Sequence, residues 1–199
     1  MSTTIHLVRH AIHDALDRVL VGRLPGTALS TAGRAQSARL AARLAELAIA
    51  QVQSSPQTRA LQTARAIAWG TGARLSVVPA LDEIDFGEWT GRTFDSLAAD
   101  PAWERWNAVR SQARPPAGES MREAQERVWR HLCATERAYP ESSLVMVTHA
   151  EIIRAVVLGC RGLPLDRWSE IDIPPGSVTT LSIRSGRPQL AALESEVAS

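Results

Sequence analysis

The sequence predicts an α/β fold: a three-layer α/β/α sandwich with a mostly parallel sheet and a small helical insertion. Three observations lead there. Short apolar runs alternate with helical patterns in β-α-β-α-β order along the first part of the chain. Two runs, Ile5-His6-Leu7-Val8 and Leu144-Val145-Met146-Val147, are nearly continuous in apolar residues, as strands buried on both faces are. Each leads into a histidine, the first through Arg9 to His10 and the second through Thr148 to His149. In open α/β sheets ligands bind beyond the carboxyl ends of the strands, where the chain leaves the sheet for a helix. If these two strands are neighbours, an Arg-His pair and a second histidine meet in one crevice.

The elements follow in order. After the first strand, a polar loop bearing Gly and Pro runs from Ala11 to Leu29. Ser30-Thr31 caps a helix reaching about Leu47, with Leu40, Leu44 and Leu47 as its buried stripe. Val52 and its neighbours form a second strand that stops at Ser54-Ser55-Pro56, and a helix covers Gln57 to Trp69. Thr71-Gly72 breaks that helix before a third strand, Leu75-Ser76-Val77-Val78. The segment 85–118 departs from the rhythm. Its Trp89, Trp103 and Trp106, three glycines and Pro115-Pro116 read as short helices and loops, an insertion over the sheet's edge with lid-like tryptophan packing. A long helix from Glu119 to about Ala138, the strand into His149, and a helix from Glu151 to Cys160 come next. Asp172 to Pro175 and Val178 to Ile183 suggest a closing strand pair, and only the last few residues read as frayed. The whole chain, 1–199, is expected to form one domain.

Composition narrows the function classes. A hydrophobic fraction of 45% and a charged fraction of 22% suit a globular protein, and a formal net charge of +1 argues against a nucleic-acid or acidic-membrane partner. All 22 basic residues are arginine, so a Schiff-base lysine is excluded and arginine is the sole cationic phosphate clamp. Cys133 and Cys160 show no CxxC spacing, which fits a reducing compartment. MSTTIHLVRH lacks the charged start and long apolar core of a signal peptide, and no stretch approaches membrane-spanning length. A cytoplasmic location is expected.

Phosphoryl transfer needs positive charge around the equatorial oxygens, an in-line nucleophile, and an acid for the leaving group. Arg9-His10 supplies a clamp and a nucleophile from adjacent positions, since a neutral imidazole nitrogen is nucleophilic. His149 offers a second hydrogen bond to the same oxygens. The opening LVRH, the segment from Ser54 to Ala64 (SSPQTRALQTA), the segment from Leu81 to Gly91 (LDEIDFGEWTG), Gly118-Glu119-Ser120, and Val147-Thr148-His149-Ala150 with Ile153-Arg154 then stand in a fixed order. In that order they resemble the histidine phosphatase superfamily, the phosphoglycerate mutase-like proteins, over nearly the whole chain.

The resemblance implies a phosphoglycerate mutase-like fold and a two-step reaction on a small phosphorylated metabolite. His10 would attack phosphorus while Arg9, Arg59 and His149 hold the phosphoryl oxygens. Glu83 would protonate the departing alcohol and then deprotonate the hydrolytic water. No metal and no cofactor is called for, because arginine and histidine bring the charge. By residue type alone Asp82, Glu83, Asp85 and Glu88 all qualify as the acid; the family pattern selects Glu83.

The chain also departs from that pattern. Ala11 and Ala150 stand where glycine is usual beside the phosphate, each adding only a methyl group, and Ala150 is expected against the substrate. Ile12-His13 replaces the usual Glu-Thr, and the asparagine shortly after is missing, which makes His13 a candidate donor in its place. Gly22-Arg23 lies in a loop within reach of the pocket, so Arg23 is a candidate substrate contact. His10, His13 and Asp14 admit a metal-ligand reading, but they lie in a loop with no cysteine beside them. His6, mid-strand, and His131, mid-helix, read as structural or surface residues. Hydrolysis is the favoured reaction. The rivals are mutase-type return of the phosphoryl group and a catalytically weak member that binds a phosphorylated ligand or a partner.

Overall fold

The computed structural model describes residues 2–193, and the terminal stretch read as frayed lies outside that range. The strands are β1 (Thr3–Arg9), β2 (Ile49–Ser54), β3 (Arg74–Val77), β4 (Ser143–Thr148), β5 (Val178–Arg184) and β6 (Arg187–Leu193). They form a six-stranded sheet in the order β3-β2-β4-β1-β5-β6. The first four in that order run parallel, and β5 and β6 join as an antiparallel pair. The two apolar runs are therefore direct neighbours, with Arg9 in register with Thr148.

The helices are α1 (Thr31–Leu44), α2 (Thr58–Thr71), α3 (Phe94–Ala98), α4 (Pro101–Ala108), α5 (Met121–Ala138) and α6 (Ala150–Arg161). Strand residues divide between two cores by the alternation of the pleat. Val8, Val52, Val145 and Val147 pack on one face with Leu40, Leu44, Ala60, Ala64 and Ile67 of α1 and α2. Ile5, Leu7, Leu144 and Met146 pack on the other with Val128 and Leu132 of α5 and Ile153 and Val157 of α6. Ser30 caps α1 by accepting from the Gly33 amide, and Ser120 and Glu123 form a reciprocal capping box at the start of α5.

Several expectations need correction. α1 stops at Leu44, so Leu47 lies beyond the helix and is 41% exposed instead of completing the stripe. Asp172 to Pro175 is no strand. Pro174 and Pro175 have no amide hydrogen to give a ladder, and β5 pairs with β6 instead. The segment 85–118 lies over the mouth of the central strands, not over the sheet's edge. Its backbone bonds to the loop after β1 (Leu20 N to Arg92 O, 2.9 Å; Phe94 N to Arg18 O, 3.2 Å). Trp89 and Trp106 are buried in the α5/α6 core, which ties the segment to that side.

Candidate active site

Main-chain hydrogen bonds carry the sheet past its carboxyl edge into the site. His10 N donates to Thr148 O, and Ser55 N donates to Val147 O, each at 2.9 Å. His10, Ser55 and His149 thus leave neighbouring strands at one level. Arg59 enters from the first turn of α2, just beyond β2. The pocket these residues open into has a volume of about 300 Å³.

The hydrogen-bond partners fix the tautomers of both histidines. His10 Nδ1 donates to Ala11 O at 2.9 Å, so Nε2 carries the lone pair, and it accepts from Arg59 Nε at 3.1 Å. Arg59 Nη2 donates to His149 Nδ1 at 3.0 Å and to Gly22 O at 2.8 Å. The His149 proton therefore sits on Nε2, which donates to Ser55 Oγ at 2.7 Å, and that hydroxyl donates to Asp82 Oδ1 at 3.1 Å. Gly22 can place its carbonyl there because φ is +49°, and a Cβ would lie 2.9 Å from the Phe86 ring.

Burial, then the charges of Arg59 and Arg9, hold His10 well below the ordinary histidine range; burial, then Arg59, His10 and Arg9, do the same for His149. Both imidazoles are neutral at pH 7. Burial also lowers the pKa of Arg9 and Arg59, but arginine starts so high that both stay cationic. Arg9 Nη1 donates to Ile173 O at 2.6 Å, so the double-proline loop misread as a strand positions Arg9. Arg9 Nε and Arg59 Nη1 are buried donors with no hydrogen-bond partner among the described residues, and His13 Nδ1 is a buried ring nitrogen likewise without one. The two unmatched guanidinium nitrogens suit a group rich in acceptor oxygens.

Glu83 lines the same pocket and is buried. Burial raises its pKa to about 7, the charge of Glu151 adds to the rise, and the Ile84 amide, Arg59 and Arg9 oppose it. That places its proton where an acid working near neutrality needs it. His13 stands with its ring centroid 5.3 Å from that of His10, and burial beside Arg59 and Arg9 lowers its pKa to about 4. Ala150 lines the wall at the first turn of α6.

Arg9, His10, His13, Arg59, Glu83, His149 and Ala150 are thus brought together, whereas Arg23 is not. Its Nη2 donates to Glu119 at 2.9 Å and its Nε to the Glu83 carbonyl at 2.8 Å, with Asp82 and Asp85 within 3.6 Å. The acidic loop holds this guanidinium behind the pocket, and its neighbour Gly22 forms the wall instead. No group of three His, Cys, Asp or Glu side chains that could hold a metal ion occurs among the described residues.

Sequence reasoning missed the supports. Ser55 and Asp82 orient His149, Gln57 binds Asp82 at 2.9 Å, and Thr63 accepts from Ala11 N at 3.1 Å. Ser55 was discoverable as a hydroxyl at a strand end level with His149. Glu151 and Arg110, also on the pocket wall, gave no such signal. An acid in a helix's first turn reads as a dipole effect, and Arg110 as one arginine among many.

The fold and this site define a class. The model of the histidine phosphatase superfamily, branch 1, matches residues 5–196, and the chain belongs to that family. Among its relatives, a Hydrogenobacter thermophilus protein provisionally named phosphoserine phosphatase 2 is 28% identical over 95% of this chain and 94% of its own length. A Cronobacter sakazakii protein provisionally named phosphoglycerate mutase GpmB is 31% identical over 80% of this chain and 75% of its own. The solved mycobacterial glucosyl-3-phosphoglycerate phosphatase superposes with a TM-score of 0.85 at 26% identity, covering 98% of this chain and all of that one.

Proposed function

We propose that this chain is a metal-independent phosphatase that hydrolyses a small phosphomonoester through a phosphohistidine on His10. The observation that carries the reading is the state of His10. Its proton is committed to Ala11 O, and its Nε2 lone pair lies beside two cationic guanidiniums with a protonatable Glu83 in the same pocket.

In the first step the Nε2 lone pair attacks phosphorus as the bond to the alcohol oxygen breaks. Arg9, Arg59 and the neutral His149 hold the equatorial oxygens, with His13 as a further donor in place of the missing asparagine. Glu83 gives its proton to the departing alkoxide. In the second step water loses a proton to the Glu83 carboxylate and attacks phosphorus. The N–P bond breaks, its electron pair returns to Nε2, and inorganic phosphate leaves. The arginines supply the positive charge that the transition state needs, and the unpaired Arg9 Nε and Arg59 Nη1 are the donors available for it.

The two free cysteines suit a reducing, cytoplasmic setting. Among the described residues no helix is long and apolar enough to cross a membrane.

Phosphate release from p-nitrophenyl phosphate in the presence of EDTA tests the reading, with wild type beside His10→Ala. Release that resists EDTA and disappears in the variant is expected. Release abolished by EDTA, or retained by His10→Ala, contradicts it, and absence of any turnover favours a binding-only member. The likeness to GpmB keeps the mutase reaction in view. Conversion of 3-phosphoglycerate into its isomer without free phosphate would decide for it.

A further inference from the structure

The inner end of the pocket carries the positive charge that a phosphoryl dianion requires. Its outer half is different. Glu151, in the first turn of α6 and lining the pocket, accepts from Arg110 Nη1 through Oε2 and from Arg154 Nη1 through Oε1, the latter at 2.6 Å. Arg110 is 4% exposed and is fixed on every side. Its guanidinium lies 3.5 Å from the centre of the Trp168 ring, and its Nη2 donates to Asn107 Oδ1 at 3.1 Å. Both of its Nη groups are thus committed to protein acceptors, and its Nε–H is buried without a partner among the described residues. Arg154 Nε is likewise committed, to Ile171 O at 2.9 Å. Glu151 thus holds both guanidiniums, and with the exposed Asp17 also on the lining, the two arginines and two carboxylates beyond Arg9, Arg59 and Glu83 balance.

We propose that Glu151 neutralises this outer chamber and thereby selects phosphomonoesters whose alcohol part carries no net charge, against those bearing a carboxylate or a second phosphate. The inference rests on the phosphatase reading and narrows its substrate class. A buried carboxylate already holding both arginines leaves a second anion without a counter-charge, and in a low-dielectric chamber that deficit is costly. Burial would raise the pKa of Glu151, but Arg110 and Arg154 outweigh it and keep the group ionised. A merely structural clamp would position Trp168 and the 85–118 segment without favouring one substrate charge over another.

A matched pair decides between these: sn-glycerol 3-phosphate and 3-phosphoglycerate, which share a primary-alcohol leaving oxygen and differ in a hydroxymethyl against a carboxylate. The wild type is expected to favour the glycerol ester by about tenfold or more in kcat/KM. Glu151→Gln should cut that ratio by about tenfold, and Arg154→Gln, which removes a positive charge, should widen it. Where turnover is slow, inhibition constants against p-nitrophenyl phosphate hydrolysis give the same ratio. A wild type that treats the two alike or prefers 3-phosphoglycerate overturns the inference, as does an active Glu151→Gln with an unchanged ratio. Should Glu151→Gln not fold, the wild-type ratio and Arg154→Gln still decide. If p-nitrophenyl phosphate is not hydrolysed at all, the phosphatase reading falls separately, and the affinities of the pair by calorimetry settle the charge selection.

Discussion

The inner end of the pocket and its outer chamber are built by different means. At the inner end His10, Ser55 and His149 each sit one residue past a parallel strand, and backbone bonds from His10 and Ser55 to the end of β4 fix their level. A relay of Arg59, His149, Ser55 and Asp82 then orients each ring. The outer chamber has no such frame. Side chains from three separate places, Asn107 and Arg110 at the end of α4, Glu151 and Trp168, hold one another through an ion pair, a stacked guanidinium and a hydrogen bond. The backbone frame gives geometry, which a fixed chemistry needs; the side-chain mesh sets charge and shape, which can vary while the chemistry stays.

If that contrast holds, damage to the inner end lowers turnover for every substrate, while damage outside changes preference. The largest effect expected in this series is for Arg59→Lys. The charge survives, but the planar fork that reaches His10, His149 and Gly22 together is lost, and kcat should fall on the order of 10²–10³-fold on all esters. A change confined to KM would remove Arg59 from the transition state.

Glu83→Gln comes next and depends on the leaving group. Alkyl phosphates should lose about 10²-fold or more, p-nitrophenyl phosphate far less, since its leaving group needs little protonation. The wild-type rate on alkyl esters should fall as pH rises through about 7, because Glu83 must carry its proton. His10 is already neutral there, so it adds no limb in that range. Steady-state pH profiles check both points, and a limb near 7 that persists in Glu83→Gln would assign it elsewhere.

Ser55→Ala should cost about tenfold in kcat, because the buried His149 Nε2–H loses its acceptor and the ring its orientation. The smallest effect is expected for Arg23→Ala: KM within about threefold of wild type, and a modest loss of melting temperature from the exposed side of the acidic loop. A large rise in KM would return Arg23 to the substrate.

The same division governs how much could be read from the sequence. The parallel core was legible because Ile5 to Val8 and Leu144 to Val147 are apolar on both faces, and the placing of His10 and His149 because strand-end residues are fixed by the strands they follow. Arg59 and Glu83 were named only through the family resemblance. The departures have local causes. Pro188 and Gly186 disguise β6 as a turn, and the double proline beside Ile173 sits where a strand end was expected. The outer chamber was illegible for a different reason. Arg110 meets Glu151 across 41 positions and Trp168 meets Asn107 across 61, contacts that no periodicity or capping signal encodes. Arg23 was named from proximity in the loop, which says nothing about which way a side chain turns once Glu119 and Asp82 compete for it.

The claim on which all of this depends is that phosphorus is first transferred to His10 and only then to water. The stereochemical course at phosphorus tests it most directly, using a phosphomonoester made chiral by oxygen isotopes and hydrolysed in isotopic water. Two in-line displacements predict overall retention; inversion would mean that water attacks the ester directly, and His10 would then be a base or a clamp instead of the nucleophile.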